Sequence, residues 1–168
     1  MGTTDHRKDA PDCVTMAVIS VSSTRSLAED KSGNWICRRA GKEGHRIVAH
    51  EMVPDDAEAI GSCVTGILEK LQPDAVLITG GTGISEKDVT IEAIRPLFRK
   101  ELSAFGALFA LLSFEEIDAA AMLSRAAAGI VQTSAVFCMP GSLNACKTAC
   151  EKLIFPEIGH LVRHLRKG

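Results

Sequence analysis

Apolar positions along this chain change period in a regular way. Residues 14–21, VTMAVISV, form an unbroken β-rich apolar run, the pattern of a strand buried on both faces. A polar stretch, SSTRSLAEDKSG, reads as a loop. Residues 34–43 then read as a helix with Trp35, Ile36 and Ala40 inward, stopping near Gly44. HRIVAHEMV predicts a second, half-buried strand, and Ile60, Val64, Ile67, Leu68 and Leu71 recur at helical spacing behind it. DAVLIT is a third strand. Past it come a short helix in TIEAIRPLF that Pro96 should end, and a longer helical run, SAFGALFALLSFEEI. AGIV and AVFCMP, joined by QTS, suggest a hairpin. GSLNACKTACEKLI and PEIGHLVRHLRK close the chain as two helices, with Pro156 in the first turn of the second.

Strand and helix alternate through the first 80 residues, which implies right-handed crossovers and a mainly parallel sheet between helices. The expected fold is therefore α/β: a mostly parallel sheet sandwiched by helices, with a small β-hairpin subregion. Residues 1–12, polar and without an apolar signal core, read as a flexible tail, and 13–168 as a single domain.

Composition narrows the function. The net charge of −2 and the absence of Tyr leave no basic, aromatic-interleaved surface, so nucleic-acid binding is not expected. No apolar stretch reaches the roughly 20 residues of a membrane span. Six cysteines without a Cys-x-x-Cys pair suit reduced, buried thiols and a cytoplasmic setting.

The candidate chemistry lies at strand ends, because open α/β sheets bind ligands beyond the carboxyl ends of their strands. Ser20 and Ser22 follow the first strand, Gly80, Gly81, Thr82 and Gly83 the third, and Pro140, Gly141 and Ser142 the last. Glycines there let backbone amides approach an anion, although a plain tight turn explains GGTG equally well. The chain lacks the Gly-Lys-Ser/Thr of a P-loop, and Glu86 occupies the third position of a dinucleotide fingerprint. Asp55, three residues before Glu58, has a capping-box pattern. Asp88 has no comparable duty, since Thr90 is the better N-cap for the next helix, and a carboxylate beside a phosphate loop suits Mg²⁺.

TGGTGISEKDVT together with FGALFALLSFEEI, SRAAAG and MPGS resembles the MoaB/Mog proteins of molybdenum cofactor biosynthesis, from about residue 14 to 160. Length and LSFEEI favour the MoaB branch. The resemblance implies a molybdopterin-binding-like fold, assembly as a homotrimer or homohexamer, and adenylylation of molybdopterin with ATP and Mg²⁺. Its product would pass to a molybdenum-insertion protein. By resemblance Gly80–Gly83 receive phosphate, Asp88 is the catalytic and metal-holding aspartate, and Asp55 is a second functional aspartate. Gly141 and Ser142 suit an anion, and Ser124 and Arg125 match the family's SR pair, with an Arg125–Glu101 ion pair as the structural alternative. Ser103 and Ala104 replace a usual Pro-Gly, Ile91 a frequent Pro, and Ala107 a common acidic residue. The last departure leaves open a non-catalytic molybdopterin-binding or carrier protein. The related competence-damage-associated proteins share the fold but carry a second domain.

Overall fold

The computed structural model describes residues 11–167. The sequence-read tail, 1–12, lies outside the described residues for its first ten positions. Among the described residues six strands form one mixed sheet. They are β1 (Thr15–Val21), β2 (Arg46–Val53), β3 (Ala75–Thr79), β4 (Lys100–Glu101), β5 (Ala127–Val131) and β6 (Ser134–Met139). Their order is β2-β1-β3-β6-β5-β4. β2, β1, β3 and β6 run parallel, while β5 is antiparallel to both β6 and β4. The expected hairpin is β5–β6. Its second strand, β6, also pairs with β3 at the centre of the sheet, and Gln132 makes the turn at φ 53°.

The helices are α1 (Lys31–Lys42), α2 (Ala57–Leu71), α3 (Thr90–Ile94), α4 (Ser103–Ile117), α5 (Leu143–Thr148) and α6 (Phe155–Lys167). Alternation along the strands sorts the core into two layers. Met16, Val18, Leu77 and Phe137 face α1, α4, α5 and α6, where Ile36, Phe109, Cys146 and Ile158 meet them. Ala17, Ile19, Ile78 and Val136 face α2 and α3, meeting Ile60, Val64 and Ile91. Continuous apolar runs in β1 and β3 thus reflect helices on both faces. β2, at the edge, is only partly buried, as its mixed pattern predicts.

Four local expectations are revised. α1 begins at Lys31 because Asp30 accepts a hydrogen bond from the Gly33 amide at 2.9 Å. The residues Asp-Lys-Ser-Gly read as a turn, yet a short carboxylate suits an N-cap equally well. At α2 the cap is Asp56, which accepts from Ala59 N at 2.8 Å, so Asp55 is not needed there. Thr90 is the first residue of α3 and not its N-cap; its hydroxyl donates to Gly80 O at 2.8 Å. Finally, α5 and α6 are one rod, joined by a π-helical stretch at Ala149–Ile154. Pro156 has no N–H and its ring crowds the preceding turn, and widening just upstream accommodates it without a break.

At the end of the sheet remote from the strand carboxyl termini, Asp74 ties three segments together. It accepts from Thr15 N and Oγ1 at 2.9 and 2.8 Å, and from Arg166 at 2.7 Å. Burial opposes its ionisation, but the bonds from Thr15 and Arg166 outweigh burial and hold it below the usual carboxylate range. A carboxylate depressed on folding stabilises fully above its unfolded pKa, and that stabilisation disappears as pH falls through the folded value. Asp74→Asn should therefore cost about 1–3 kcal/mol at pH 7 and much less in strong acid, read from urea midpoints at the two pH values.

Candidate active site

The loops that follow β1, β3 and β6 enclose a cavity of about 490 Å³. Its glycine wall is built by conformation. Gly80 and Gly81 adopt φ of +100° and +62°, where a side chain would be strained and would meet Val21 O or Thr90 Oγ1. Gly80 N donates to Met139 O at 3.0 Å, and Thr79 Oγ1 donates to Pro140 O at 3.1 Å. Ser32 Oγ donates to Gly141 O at 2.8 Å. The glycine loop and the Pro140–Ser142 loop are thereby one rim. Ser142 caps α5, accepting from Ala145 N.

Thr82 completes the loop with an anomaly. Its hydroxyl oxygen is fully buried and has no hydrogen-bond partner among the described residues. Buried hydroxyls are normally paired, and Thr82 lines the cavity, so a bound acceptor such as a phosphate oxygen would satisfy it.

Two carboxylates stand on the same cavity. Asp88 Oδ2 accepts from Ser85 Oγ and N at 2.7 and 2.9 Å. The Ser85 hydroxyl, with the Ser85 and Gly83 amides and Arg125, holds its pKa below the usual range against partial burial. Asp88 is therefore anionic and also shapes its loop, a structural duty that sequence reasoning did not find. Asp55 Oδ2 accepts from Ser23 Oγ and N at 2.7 and 2.8 Å, which ties the loop after β2 to the loop after β1. With Asp56 serving as the cap, Asp55 is available to the cavity. Among the described residues no three Asp, Glu, His or Cys side chains cluster as a ready metal cage. Two carboxylates beside a glycine loop fit a Mg²⁺ site of the kind in which ligand phosphates and water complete the shell.

Other sequence-derived candidates are distributed differently. Ser22, Pro140, Gly141 and Ser142 line the cavity with Gly80–Gly83. Ser20 lies beneath it, buried and hydrogen-bonded to Asp30, which also meets His50 Nε2 at 2.9 Å. Ser124 and Arg125 are not cavity walls. Arg125 braces the glycine loop from behind, donating to Thr82 O, Gly83 O and Asp88 O at 3.1, 2.9 and 3.2 Å. Its carboxylate partner is Glu92, and Glu101 pairs with Arg95 instead. Thr24 and Arg25 also line the cavity and were missed. Their signal was available, because they sit in the loop directly after a strand predicted to be central.

Residues 17–160 match the probable molybdopterin binding domain family. The chain belongs to that family, in its MoaB/Mog group. Molybdenum cofactor biosynthesis protein B of Bacillus subtilis is 49% identical over 99% of both chains. A probable molybdopterin adenylyltransferase of Methanocaldococcus jannaschii is 40% identical, covering 92% of this chain and 96% of its own. A crystal structure of a molybdenum cofactor biosynthesis protein B superposes with TM-score 0.91 at 42% identity, over 95% of this chain and 99% of that one.

Removing the Arg125 guanidinium should loosen the loop while leaving the sheet intact. Arg125→Gln is expected to speed amide hydrogen exchange across residues 82–88 by at least about tenfold, with exchange in β1 and β3 unchanged.

Proposed function

We propose that this protein adenylylates molybdopterin with Mg-ATP in molybdenum cofactor biosynthesis, and that Asp88 and Asp55 are its working carboxylates. The observation that carries this reading is the conjunction in one cavity of an amide-rich glycine loop, an orphaned buried hydroxyl on Thr82 and two carboxylates. Such a cavity offers donors for phosphate oxygens and anionic oxygens for a cation.

In the reaction the terminal phosphate of molybdopterin attacks the α-phosphorus of ATP, a new P–O–P bond forms, and the bond to pyrophosphate breaks. Both reactants are anions, so the first task of the protein is to bring like charges together. The loop provides the N–H groups of Gly81 and Thr82 with little freedom left to lose, since Gly80 is tied to Met139 and Thr90 at one end and Arg125 holds Thr82 and Gly83 at the other. Thr82 offers a hydroxyl donor, Ser142 stands at the start of α5, and Arg25 adds the cation among the cavity walls. When bound, Mg²⁺ would neutralise phosphate charge and favour departure of pyrophosphate. Asp88 and Asp55 would hold it, each fixed in orientation by a serine. No proton must be removed from an ionised phosphate nucleophile, so neither aspartate is assigned as a base.

Ala107, where the family commonly has an acidic residue, is exposed on α4 and is not a wall of the cavity. Its loss of charge therefore leaves the groups named above untouched. The non-catalytic carrier reading becomes one outcome of the assay. We extend the proposal to a cytoplasmic setting, consistent with six unbridged cysteines, and to self-assembly as a homotrimer or hexamer. Support for assembly comes from α4. Phe105 and Phe109 enter the core, but Leu108, Leu111, Phe114 and Ile117, three residues apart, stand about half exposed, continued by Met122 and Leu123. Residues 104–112 of α4 carry no polar side chain, so periodicity cannot reveal which side faces the core and which a neighbour. No helix among the described residues is long and apolar enough to cross a membrane.

Purified protein with molybdopterin, ATP and Mg²⁺ should give adenylylated product and pyrophosphate, separated by chromatography. Asp88→Asn should lower turnover by about 10²–10³-fold with little change in thermal midpoint. Tight molybdopterin binding without product from the wild type would make the protein a carrier. Wild-type turnover in Asp88→Asn would remove the assignment of that residue. Phe114→Glu should shift the assembly toward monomer by light scattering, and an unchanged mass would remove α4 from the interface.

A further inference from the structure

The cavity at the glycine loop does not end at Ser142. A second recess of about 320 Å³ shares Arg25, Gly141 and Ser142 with it. That recess shares Glu29, Lys31 and Leu143 with a third, of about 620 Å³, whose far wall is Trp35. The three are one track, running from the phosphate cradle over the start of α5 to the outer face of α1. Lys31, Asn34, Trp35 and Arg38 stand at positions i, i+3, i+4 and i+7, so one helix face lines the distal end.

We propose that this distal groove binds the planar, amino-substituted nitrogen heterocycle of one of the two reactants, whose phosphate then reaches the glycine loop. The proposal rests on the adenylylation reading for the identity of the candidate rings, adenine and pterin, and otherwise on the groove itself. Trp35 is the single tryptophan of the chain, and its indole is half-buried against the core, which holds the ring in place as a stacking surface. Asn34 is anchored by its Nδ2 on Leu27 O at 3.4 Å. Its Oδ1 thereby remains an acceptor for an exocyclic amine, a group that adenine and pterin share. Lys31 and Arg38 are exposed and enter no ion pair among the described residues. The nearby carboxylate, Glu29, is already engaged by the hydroxyl and amide of Ser26 at 2.8 and 2.9 Å. The groove therefore presents an aromatic face and cations along a path that leads to phosphate-binding loops. A purely structural helix face has no need of that combination. It also separates the two ring systems that a two-substrate transfer must seat, one near the carboxylates and one over α1.

The test uses the full chain and three probes: ATP, inorganic tripolyphosphate, and a pterin carrying a phosphate monoester. Calorimetric Kd values are compared for wild type, Trp35→Leu and the surface variant Arg38→Gln, which keeps the test informative should loss of the indole disturb folding. One ring-bearing probe should bind about tenfold more weakly to both variants, while tripolyphosphate binds equally to all three proteins. If that probe is ATP, the groove is the adenine site, and ATP but not tripolyphosphate should quench Trp35 emission. If it is the pterin, the groove is the pterin site. Unchanged Kd values for both rings, with turnover that Asp88→Asn abolishes, would overturn the groove and leave the adenylylation reading standing. Absence of binding by either ring to the wild type would overturn both.

Discussion

Two hydrogen bonds hold the carboxyl ends of the central strands together: Gly80 N to Met139 O and Thr79 Oγ1 to Pro140 O. Parallel neighbours necessarily end on the same side of a sheet, but their loops are free to diverge. Here they are fastened at the point of exit. Three further supports reach the loops that meet at that junction. Thr90 brings α3 to it through Gly80 O, Ser32 brings α1 through Gly141 O, and Arg125 brings the segment before β5 through Thr82 and Gly83. The rim is a framework of backbone groups held from several directions, which is how amides can meet an anion without first losing motion.

The electrostatics follow from the same economy of parts. The chain as a whole carries a small negative charge, so it has no broad basic surface to draw an anion. What the cavity walls offer is amides, hydroxyls and one cation, Arg25. Serines perform a repeated task beside the acids. Ser23 holds Asp55, Ser85 holds Asp88, and Ser20 binds Asp30 below the rim. Each hydroxyl fixes a carboxylate in orientation, and at Asp88 and Asp30 the bond also favours the charged form.

Much of the architecture was legible because the strands are buried on both faces and read as unbroken apolar runs. The glycine loop was equally visible, since no other residue tolerates those angles so cheaply. What escaped the sequence was the choice among neighbours of equal chemistry. Asp55 and Asp56 are both good caps; Asp56 takes the Ala59 amide, while Asp55 is bound to Ser23 in the loop after β1. Arg125 had Glu92 and Glu101 as possible partners at similar remove along the chain, and a two-residue strand, β4, sends Glu101 toward Arg95. Arg25 lay in a loop that looked merely polar. The pairing of Asp30 with His50 joins residues from two elements, and nothing local announces it. The apolar α4 was ambiguous for a different reason: core and partner-facing surfaces use the same side chains.

The rod formed by α5, the π-helical stretch and α6 starts with Ser142 on the rim and reaches Arg166, which binds Asp74 at the opposite end of the sheet. At about 1.5 Å per residue it crosses roughly 35 Å. Whatever is attached beyond Arg166 consequently projects from the underside of the molecule, with the whole β-sheet between it and the cavity. Immobilisation on a solid support, or fusion to a fluorescent reporter, is best made from that side, where the mouth of the cavity stays open to solution.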